Sequence, residues 1–342
     1  MKNLKIMLIA VTMLAVLLLV AGCGGGKTPA EKESDGKAAE KIILKFAAVN
    51  NKTHPAVVAL NEVFKPRVEQ LTGGRVEVQV FDSGQLGGER DVMEQLQLGT
   101  VQMSYISPVL GAIDPAINIL DLPFLFKDED HVDKVLDGLI GEKILAGLPS
   151  KGLRNIGWME NGFRVVTNSK RPINKLEDIK GLKIRTPEAP VSVAIFKALG
   201  ANVTPLAFNE LYSALSQGVV DGQENAYNTV ATSSFFEVQK YVAQTNHMWG
   251  SFAILVSEKW WQKQPGDIKE AIIQATKETS KHQRKIFREQ TNKNKQMLID
   301  KGMQVTYPDL TEFIQAVQPV YDEMFKQYPN FKPIVDEILS LK

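Results

Sequence analysis

The stretch Gly181-Leu182-Lys183-Ile184-Arg185-Thr186-Pro187 decides the fold, because it predicts a short strand with a charged residue at its carboxyl end. Side chains alternate along a strand, so Leu182 and Ile184 face one side and Arg185 faces the other. Pro187 ends the strand. Ligands of open α/β sheets bind at the carboxyl ends of strands, where a guanidinium offers two donors to a carboxylate. By itself, such an arginine is more often a surface residue.

Strand and helix patterns alternate on both sides of this stretch, which predicts an α/β fold. The predicted strands cover residues 42–49, 75–81, 101–106, 153–158, 182–185 and 252–256. The predicted helices cover residues 54–71, 88–98, 128–148, 191–199, 209–217 and 267 to about 301. The last helix contains neither proline nor glycine and is long enough to brace two domains.

Composition excludes several classes of function. The formal net charge is +1, whereas a nucleic-acid-binding protein needs a clustered basic face. No phosphate-binding loop, zinc-binding histidine pair or serine nucleophile elbow is present in the sequence, so we expect no enzyme, no cofactor and no metal. The run Asp128-Glu129-Asp130-His131 resembles a metal cluster, but capping of a helix start explains it better.

The N-terminus predicts export. Met1 to Lys5 is basic, an apolar run extends from Ile6 to Val20, and Ala21-Gly22-Cys23 follows. This pattern resembles the lipobox of bacterial lipoproteins, which predicts a signal peptide over 1–22 and a lipid anchor on Cys23. The alternative is an ordinary signal peptide with an incidental cysteine. Residues 23–40 are poor in apolar side chains and predict a flexible tether.

Several motifs in order along the chain carry a resemblance to a known family. They are Asn161-Gly162-Phe163-Arg164, the segments 178–187, 205–215, 221–225 and 245–247, and, in the first half, 83–90, 94–96 and 120–124. Together they resemble the solute-binding proteins of TRAP transporters, the tripartite ATP-independent periplasmic carriers, in the DctP-type family. The resemblance spans essentially the whole chain after the tether.

The resemblance implies a two-domain, periplasmic-binding-protein-like α/β fold with an interdomain cleft and a long helix spanning both domains. Domain I is expected over 41–162 plus about 251–290, and domain II over 163–250 plus about 291–342. It implies that Arg185 binds the carboxylate of an organic acid. The other ligand-binding residues that it implies are Arg164, Asn225, Phe208, Asn50, Asn51, His54 and Glu89. Asn50 and Asn51 also suit a turn, Glu89 suits a helix start, and Phe208 suits a hydrophobic staple.

Two departures from the family concern the pocket wall. Ser107 and Leu110 occupy positions that carry a glutamate and an arginine in the sialic-acid-binding members. Their loss predicts a smaller or less polar wall at Ser107 and disfavours a nine-carbon sugar acid. Trp249 is an additional candidate for the cleft, with core packing as the alternative.

These features predict an extracytoplasmic binding protein that is anchored to the membrane by a lipid. It would capture a sugar acid, keto acid or dicarboxylate and deliver it to the small and large permease subunits of a TRAP transporter. One alternative is a solute-binding lipoprotein of the ABC type. The other is an extracytoplasmic hydrolase, which would need a nucleophile or a pair of carboxylates.

Overall fold

The computed structural model describes residues 41–342, so the predicted signal peptide, the tether and Cys23 lie outside the described residues. The strands are β1 Ile42–Ala47, β2 Val76–Phe81, β3 Met103–Ile106, β4 Leu153–Asn168, β5 Lys183–Thr186, β6 Asn202–Pro205, β7 Gly222–Ala226, β8 Tyr241–Ala243, β9 Trp249–Ser257 and β10 Gln304–Thr306. The helices are α1 Pro55–Ala59, α2 Lys65–Leu71, α3 Glu89–Leu98, α4 Glu129–Leu136, α5 Leu139–Leu145, α6 Pro190–Ala198, α7 Leu211–Ser216, α8 Tyr227–Thr232, α9 Glu258–Trp261, α10 Gly266–Asp300, α11 Thr311–Ala316, α12 Gln318–Gln327 and α13 Phe331–Ser340.

The strands form two sheet regions that share β4. The order along the sheet is β2-β1-β3-β9-β4-β7-β5-β6, with β8 paired to β4 and β10 paired to β8. The first part of β4 pairs with β9, and its last part pairs with β7 and β8. Helices pack on the sheet regions, which gives the two-domain α/β fold that the sequence predicts. Below, the first lobe contains β1, β2, β3 and β9, and the second contains β5, β6, β7, β8 and β10.

Gly162 marks the place where β4 passes from one lobe to the other. The register of β4 against β9 shifts between Glu160 and Gly162. Gly162 has a φ of +75°, and a Cβ atom there would lie 2.5 Å from Cε1 of Phe287. The crossing therefore requires glycine, both for its backbone conformation and for the close approach of the Phe287 ring.

Helix α10 is 35 residues long, close to its predicted bounds, and it packs on both lobes. Ile268 and Ile272 belong to the hydrophobic core under the first lobe, whereas Leu298 belongs to the core of the second. In the middle of the helix, the carbonyl of Phe287 accepts a hydrogen bond of 2.9 Å from Nδ2 of Asn228 in α8. The predicted helix that spans both domains is therefore confirmed.

Some predicted elements are wrong in extent. The helix predicted over 128–148 is broken into α4 and α5 at Gly138, whose extended backbone ends the first helix. The strand predicted over 153–158 continues to Asn168. Strand β7 has the sequence Gly-Gln-Glu-Asn-Ala and is buried. The sequence does not predict it, because polar residues are not typical of a buried strand.

The run of acidic residues that starts at Asp128 caps a helix. Oδ1 of Asp128 accepts a hydrogen bond of 2.9 Å from the backbone nitrogen of His131. Within 41–342, no cluster of histidine, cysteine and carboxylate side chains could hold a metal ion. In the same part of the chain, we find no helix with the length and apolar character needed to span a membrane.

Candidate functional site

A small cavity of about 20 Å³ lies where the two lobes meet, and it brings together most of the predicted site residues. Residues of the first lobe and of the crossing strand face residues of the second lobe across it. Its lining consists of Val49, Asn50, Glu89, Ser107, Asn161, Arg164, Arg185, Pro187, Phe208, Asn225 and Phe252. Six of the predicted ligand-binding residues and Ser107 are among them.

Arg185 reaches this cavity from the carboxyl end of β5, as its position before Pro187 predicts. Its side chain is 2% exposed, and its Nε and Nη2 atoms both donate to the carbonyl oxygen of Leu206, at 2.9 and 2.6 Å. Within 41–342 its guanidinium forms no ion pair with a carboxylate. Burial lowers the pKa of Arg185 to about 10, so the side chain remains charged at neutral pH.

Arg164 differs from Arg185 because it already has an anionic partner. Its Nη2 atom donates to Oε1 of Glu224 at 2.9 Å and to Oδ1 of Asn225 at 3.0 Å, and its Nε atom also bonds the Glu224 carboxylate. The side chain of Glu224 is fully buried. Burial alone would raise the pKa of Glu224, but Arg164 and His247 outweigh it and lower the pKa to about 2.

Asn225 is held in place by a chain of polar side chains. Its Nδ2 atom donates to Oε1 of Gln223 at 2.6 Å, and Nε2 of Gln223 donates to Oγ1 of Thr167 at 2.9 Å. Thr167 in turn donates to Oε1 of Gln239 at 2.9 Å. Because these groups are buried and bonded to one another, the amide of Asn225 is fixed at the cavity wall.

Glu89 supplies a carboxylate to the opposite wall. It is the first residue of α3, and its two oxygens accept bonds from the backbone nitrogen and hydroxyl of Ser107, at 2.7 and 3.0 Å. Burial raises the pKa of Glu89, while the bonds from Ser107 and the charges of Arg185 and Arg164 oppose this shift. Asn50, beside it, accepts a bond of 3.0 Å from the hydroxyl of Tyr105.

Asn51 and His54 lie outside the cavity lining and join the lobes instead. Nδ2 of Asn51 donates to the carbonyl of Thr232, and Nε2 of His54 lies 3.3 Å from Oγ1 of Thr229. His54 also caps α1, and its burial lowers its pKa to about 3. The neutral imidazole therefore has a local structural role in addition to its contact with the second lobe.

The aromatic candidates divide between the cavity and the core. Phe208 lines the cavity, with the centroid of its ring 6.0 Å from Cζ of Arg185. Trp249 is 3% exposed and packs edge-on against Phe126 at 5.7 Å, so it belongs to the core. Leu110 is also buried in the core, and Ser107 alone of the two departures reaches the cavity.

Sequence reasoning assigns no site role to Glu224, to the polar lining residue Asn161 or to the apolar wall residues Val49, Pro187 and Phe252. Within the segment 221–225, the family resemblance implies a role for Asn225 only. The sequence carries no direct signal for Glu224, because the sequence does not predict β7 and its pairing with β4 beside Arg164 is visible only in the structure. The apolar wall carried no such signal, since its side chains resemble those of any core.

A larger groove of about 1010 Å³ lies between α5 and α10, away from Arg185. Its arginines already pair with carboxylates: Arg284 with Asp137, and Arg288 with Asp133 and Glu160. The groove therefore lacks the combination seen in the small cavity, namely a buried guanidinium without an anionic partner.

Comparisons with known proteins identify the family of this chain. The family model described as "Bacterial extracellular solute-binding protein, family 7" (DctP) matches residues 46–328. A solute-binding protein of Verminephrobacter eiseniae is 39% identical, with 78% of this chain and 80% of the relative covered.

Two solved structures of TRAP periplasmic solute-binding proteins share the fold over 88% of this chain. One, from Polaromonas sp. JS666, contains bound D-erythronate. It is 37% identical to this chain, 99% of its own length is covered by the match, and the TM-score is 0.85. The other, from Haemophilus influenzae, contains bound L-gulonate; it is 31% identical, is 100% covered and also gives a TM-score of 0.85. The chain therefore belongs to family 7 of the bacterial extracellular solute-binding proteins, the DctP family that serves TRAP transporters, and it is a binding protein rather than an enzyme.

Proposed function

We propose that this protein captures a carboxylate-bearing organic acid in the cavity between its lobes and delivers it to the small and large permease subunits of a TRAP transporter. The observation that carries the proposal is Arg185, a guanidinium that is 2% exposed and has no carboxylate partner in the described part of the chain. A buried charge without a counterion is costly, and a ligand carboxylate supplies that counterion.

The remaining cavity residues have complementary roles in this proposal. Arg185 binds the carboxylate with its two-pronged guanidinium, and Phe208 covers that guanidinium from one side. Arg164 and Asn225 form a polar wall, while Asn50 and Glu89 meet the ligand from the first lobe. Asn51 and His54 act indirectly by holding the lobes together around it.

The relatives support an acid as the ligand. The Polaromonas protein binds D-erythronate and the Haemophilus protein binds L-gulonate, both of which are hydroxylated monocarboxylates. Membership of the DctP family favours this function over an ABC-type binding protein and over a hydrolase.

Lipid anchoring at Cys23 remains a part of the proposal that depends on the sequence alone. The basic start, the apolar run and the small residues before Cys23 support it. The family is extracytoplasmic, so an anchor would hold the protein at the membrane where its permease resides.

The domain boundaries also remain a proposal, with domain I over 41–162 plus about 251–290 and domain II over 163–250 plus about 291–342. The passage of β4 between lobes at Gly162 and the start of β9 at Trp249 support the first two boundaries. The C-terminal helices contact both parts, as Tyr321 donates to the carbonyl of Pro123 at 2.7 Å.

A thermal-shift screen against organic acids, followed by calorimetry, tests the proposal. A ligand that binds only the native state raises its melting temperature. We expect at least one carboxylic acid to raise it, and we expect the matching alcohol or amide to have no effect. A screen in which only uncharged sugars or amino acids stabilise the protein would contradict the proposal.

A further inference from the structure

The larger groove between α5 and α10 has the edge of a sheet at its floor. Strand β4 pairs with β9 on one side, and within 41–342 no strand pairs with residues 153–160 on the other side. Helices cover both faces of this part of β4. Trp158 packs in the core that contains α4 and α5, whereas Met159 packs in the core that contains the start of α10. The free edge therefore lies between two helical walls.

This edge offers backbone groups to another chain. Nε2 of Gln283 donates to the carbonyl of Glu160 at 2.7 Å, and its Oε1 accepts a bond of 2.8 Å from the backbone nitrogen of Glu160. The backbone groups of Glu160 therefore point away from β9, and alternation along a paired strand directs those of Trp158 the same way. Trp158 is 6% exposed, and within the described part of the chain no group bonds its outward N–H or C=O. Because buried backbone groups are almost always paired, the edge favours occupation by a further strand.

A row of lysines on α10 flanks the edge. Lys277, Lys281 and Lys285 line the groove, are exposed, and form no ion pair with any residue in 41–342. Among the carboxylates that line the groove, Glu142 alone is left without an ion pair inside the same range. The wall formed by α10 therefore has an excess of positive charge, which favours an acidic partner.

The spacing of these lysines fits an extended chain. Thr276 lies beside Gly157. Further along both elements, Phe287 lies beside Gly162, so α10 and β4 run in the same direction. The lysines are four residues apart, which is about 6 Å along a helix, and alternate residues of a strand are about 6.6–6.8 Å apart. An extended chain beside β4 can therefore place every second side chain opposite a lysine.

The opposite wall favours apolar side chains. It presents Leu145, Ala146 and Pro149 to the groove. Successive side chains of a strand point to opposite faces, so a strand added to β4 directs one set towards α10 and the other set towards this wall. The groove therefore matches a segment in which acidic and apolar residues alternate.

We propose that the groove binds an extended segment of a partner protein, which adds a strand to the edge of β4 and carries acidic and apolar residues in alternation. Main-chain hydrogen bonds to the edge provide affinity, and the two walls provide specificity. From Lys277 to Arg288 the groove follows α10 for about 16 Å, which is the length of about five strand residues. This surface is separate from the cavity at Arg185, so the inference goes beyond the proposed function.

Fluorescence anisotropy with labelled hexapeptides tests the inference. The probe is Glu-Val-Glu-Val-Glu-Val-amide with a fluorophore at its N-terminus. One control has lysine in place of each glutamate, and the other has the order Glu-Glu-Glu-Val-Val-Val. We expect the probe to bind at least about tenfold more tightly than either control, because only the probe matches both walls at once.

N-methylation distinguishes strand addition from attraction between charges. The N–H groups of alternate strand residues point to the same side, so methylating the valine nitrogens and methylating the glutamate nitrogens block opposite sides of the probe. We expect only one of these two methylated probes to lose binding, by at least about tenfold. Equal affinities of the two methylated probes, whether retained or lost, would overturn the inference.

The double variant Lys277→Glu/Lys281→Glu tests the basic row. We expect it to bind the probe at least about tenfold more weakly and to bind the lysine peptide more tightly than the wild type does. Lys293→Glu, at an exposed position of α10 outside the groove lining, is the matched control and should bind the probe within about twofold of the wild type. Both variants should keep their affinity for the organic acid found by the screen, which shows that they are folded.

Three further outcomes would overturn the inference. The first is that no peptide binds, or that the block-ordered peptide binds as tightly as the probe. The second is an unchanged affinity for the probe in the double variant. The third is a dimer of the wild-type protein, seen by sedimentation, that dissociates in the double variant, because the groove would then bind a second copy of the chain.

Discussion

Arg164 and Glu224 form a buried ion pair on neighbouring strands, with Nη2 of the arginine 2.9 Å from Oε1 of the glutamate. The two side chains are 2% and 0% exposed. The guanidinium also bonds Asn225, so the pair connects the core of the second lobe to the cavity wall. This relationship distinguishes the two arginines of the site: Arg164 has an anionic partner in Glu224, whereas Arg185 has none among the residues 41–342.

Glu224→Gln should destabilise the protein strongly. The change leaves the guanidinium of Arg164 buried without an anion, which costs about 3–5 kcal/mol in the free energy of unfolding. Urea denaturation measures this change. Glu177→Gln is the control, because its ion pair with Lys180 is exposed to solvent and should contribute little to stability. Similar small losses in both variants would contradict the assigned importance of the buried pair.

Asp121→Asn should stabilise the protein relative to the wild type, and this gain in unfolding free energy should grow as the pH rises. Asp121 is 1% exposed, and burial raises its pKa to about 8, a shift that Arg164 opposes and Glu224 reinforces. Between pH 4 and 8 the unfolded chain releases this proton and the folded protein retains it. Asp121 therefore reduces stability by about 1.4 kcal/mol per pH unit across that range.

The measurement is the difference in unfolding free energy between Asp121→Asn and the wild type, at several pH values from 5 to 9. Asparagine does not titrate, so the difference should grow in favour of the variant up to about pH 8 and then level off. A difference that is independent of pH would show that Asp121 is ionised in the folded protein.

Ligand binding should close the lobes. Arg90 of the first lobe lies 3.4 Å from Glu188 of the second, and Asn51 bonds Thr232 across the same gap, so these contacts belong to a closed form. Contacts made only in the closed form provide the free energy of closure. Small-angle X-ray scattering should show a smaller radius of gyration with the acid that binds most tightly in the screen than without it. Identical profiles would indicate that the cavity is closed in both states.

Cys23→Ser should release the protein from the membrane fraction or leave it unprocessed. A serine hydroxyl cannot replace the thiol that a lipid would modify, and the remainder of the chain would lose its anchor. Fractionation of cells, followed by mass spectrometry of the mature N-terminus, measures the outcome. Correct cleavage together with normal membrane retention would contradict the anchor.

Much of the fold follows from local patterns. The alternation around Ile184 predicts β5, and the uninterrupted helix formers after Asp267 predict α10. The structure contains both elements, because their tertiary packing favours the same local structure as the sequence pattern. The sequence does not predict strand β7, because the burial of its polar residues depends on hydrogen-bond partners elsewhere in the chain. The break at Gly138 agrees with the low helix propensity of glycine, and a Cβ atom there would lie only 2.7 Å from the carbonyl oxygen of Lys134.

The site could be predicted only in part for the same reason. The position of Arg185 at a strand end follows from seven consecutive residues. The neutralisation of Arg164 depends on Glu224, which is 60 positions away in the sequence and is brought near by strand pairing. Likewise, the placement of His54 against Thr229 depends on how the two lobes meet.

Calorimetric titration of Arg185→Ala with the acid that binds the wild type tests the central claim most directly. Loss of the guanidinium leaves the ligand carboxylate buried without a cation, so affinity should fall by about 3–5 kcal/mol, or a few hundred-fold or more. Arg185→Lys should also bind more weakly, because an ammonium cannot provide two parallel donors. Arg75→Ala, at an exposed ion pair with Asp267, should bind within twofold of the wild type. If Arg185→Ala is folded and binds the acid within a few-fold of the wild type, the carboxylate is held elsewhere and the account is wrong.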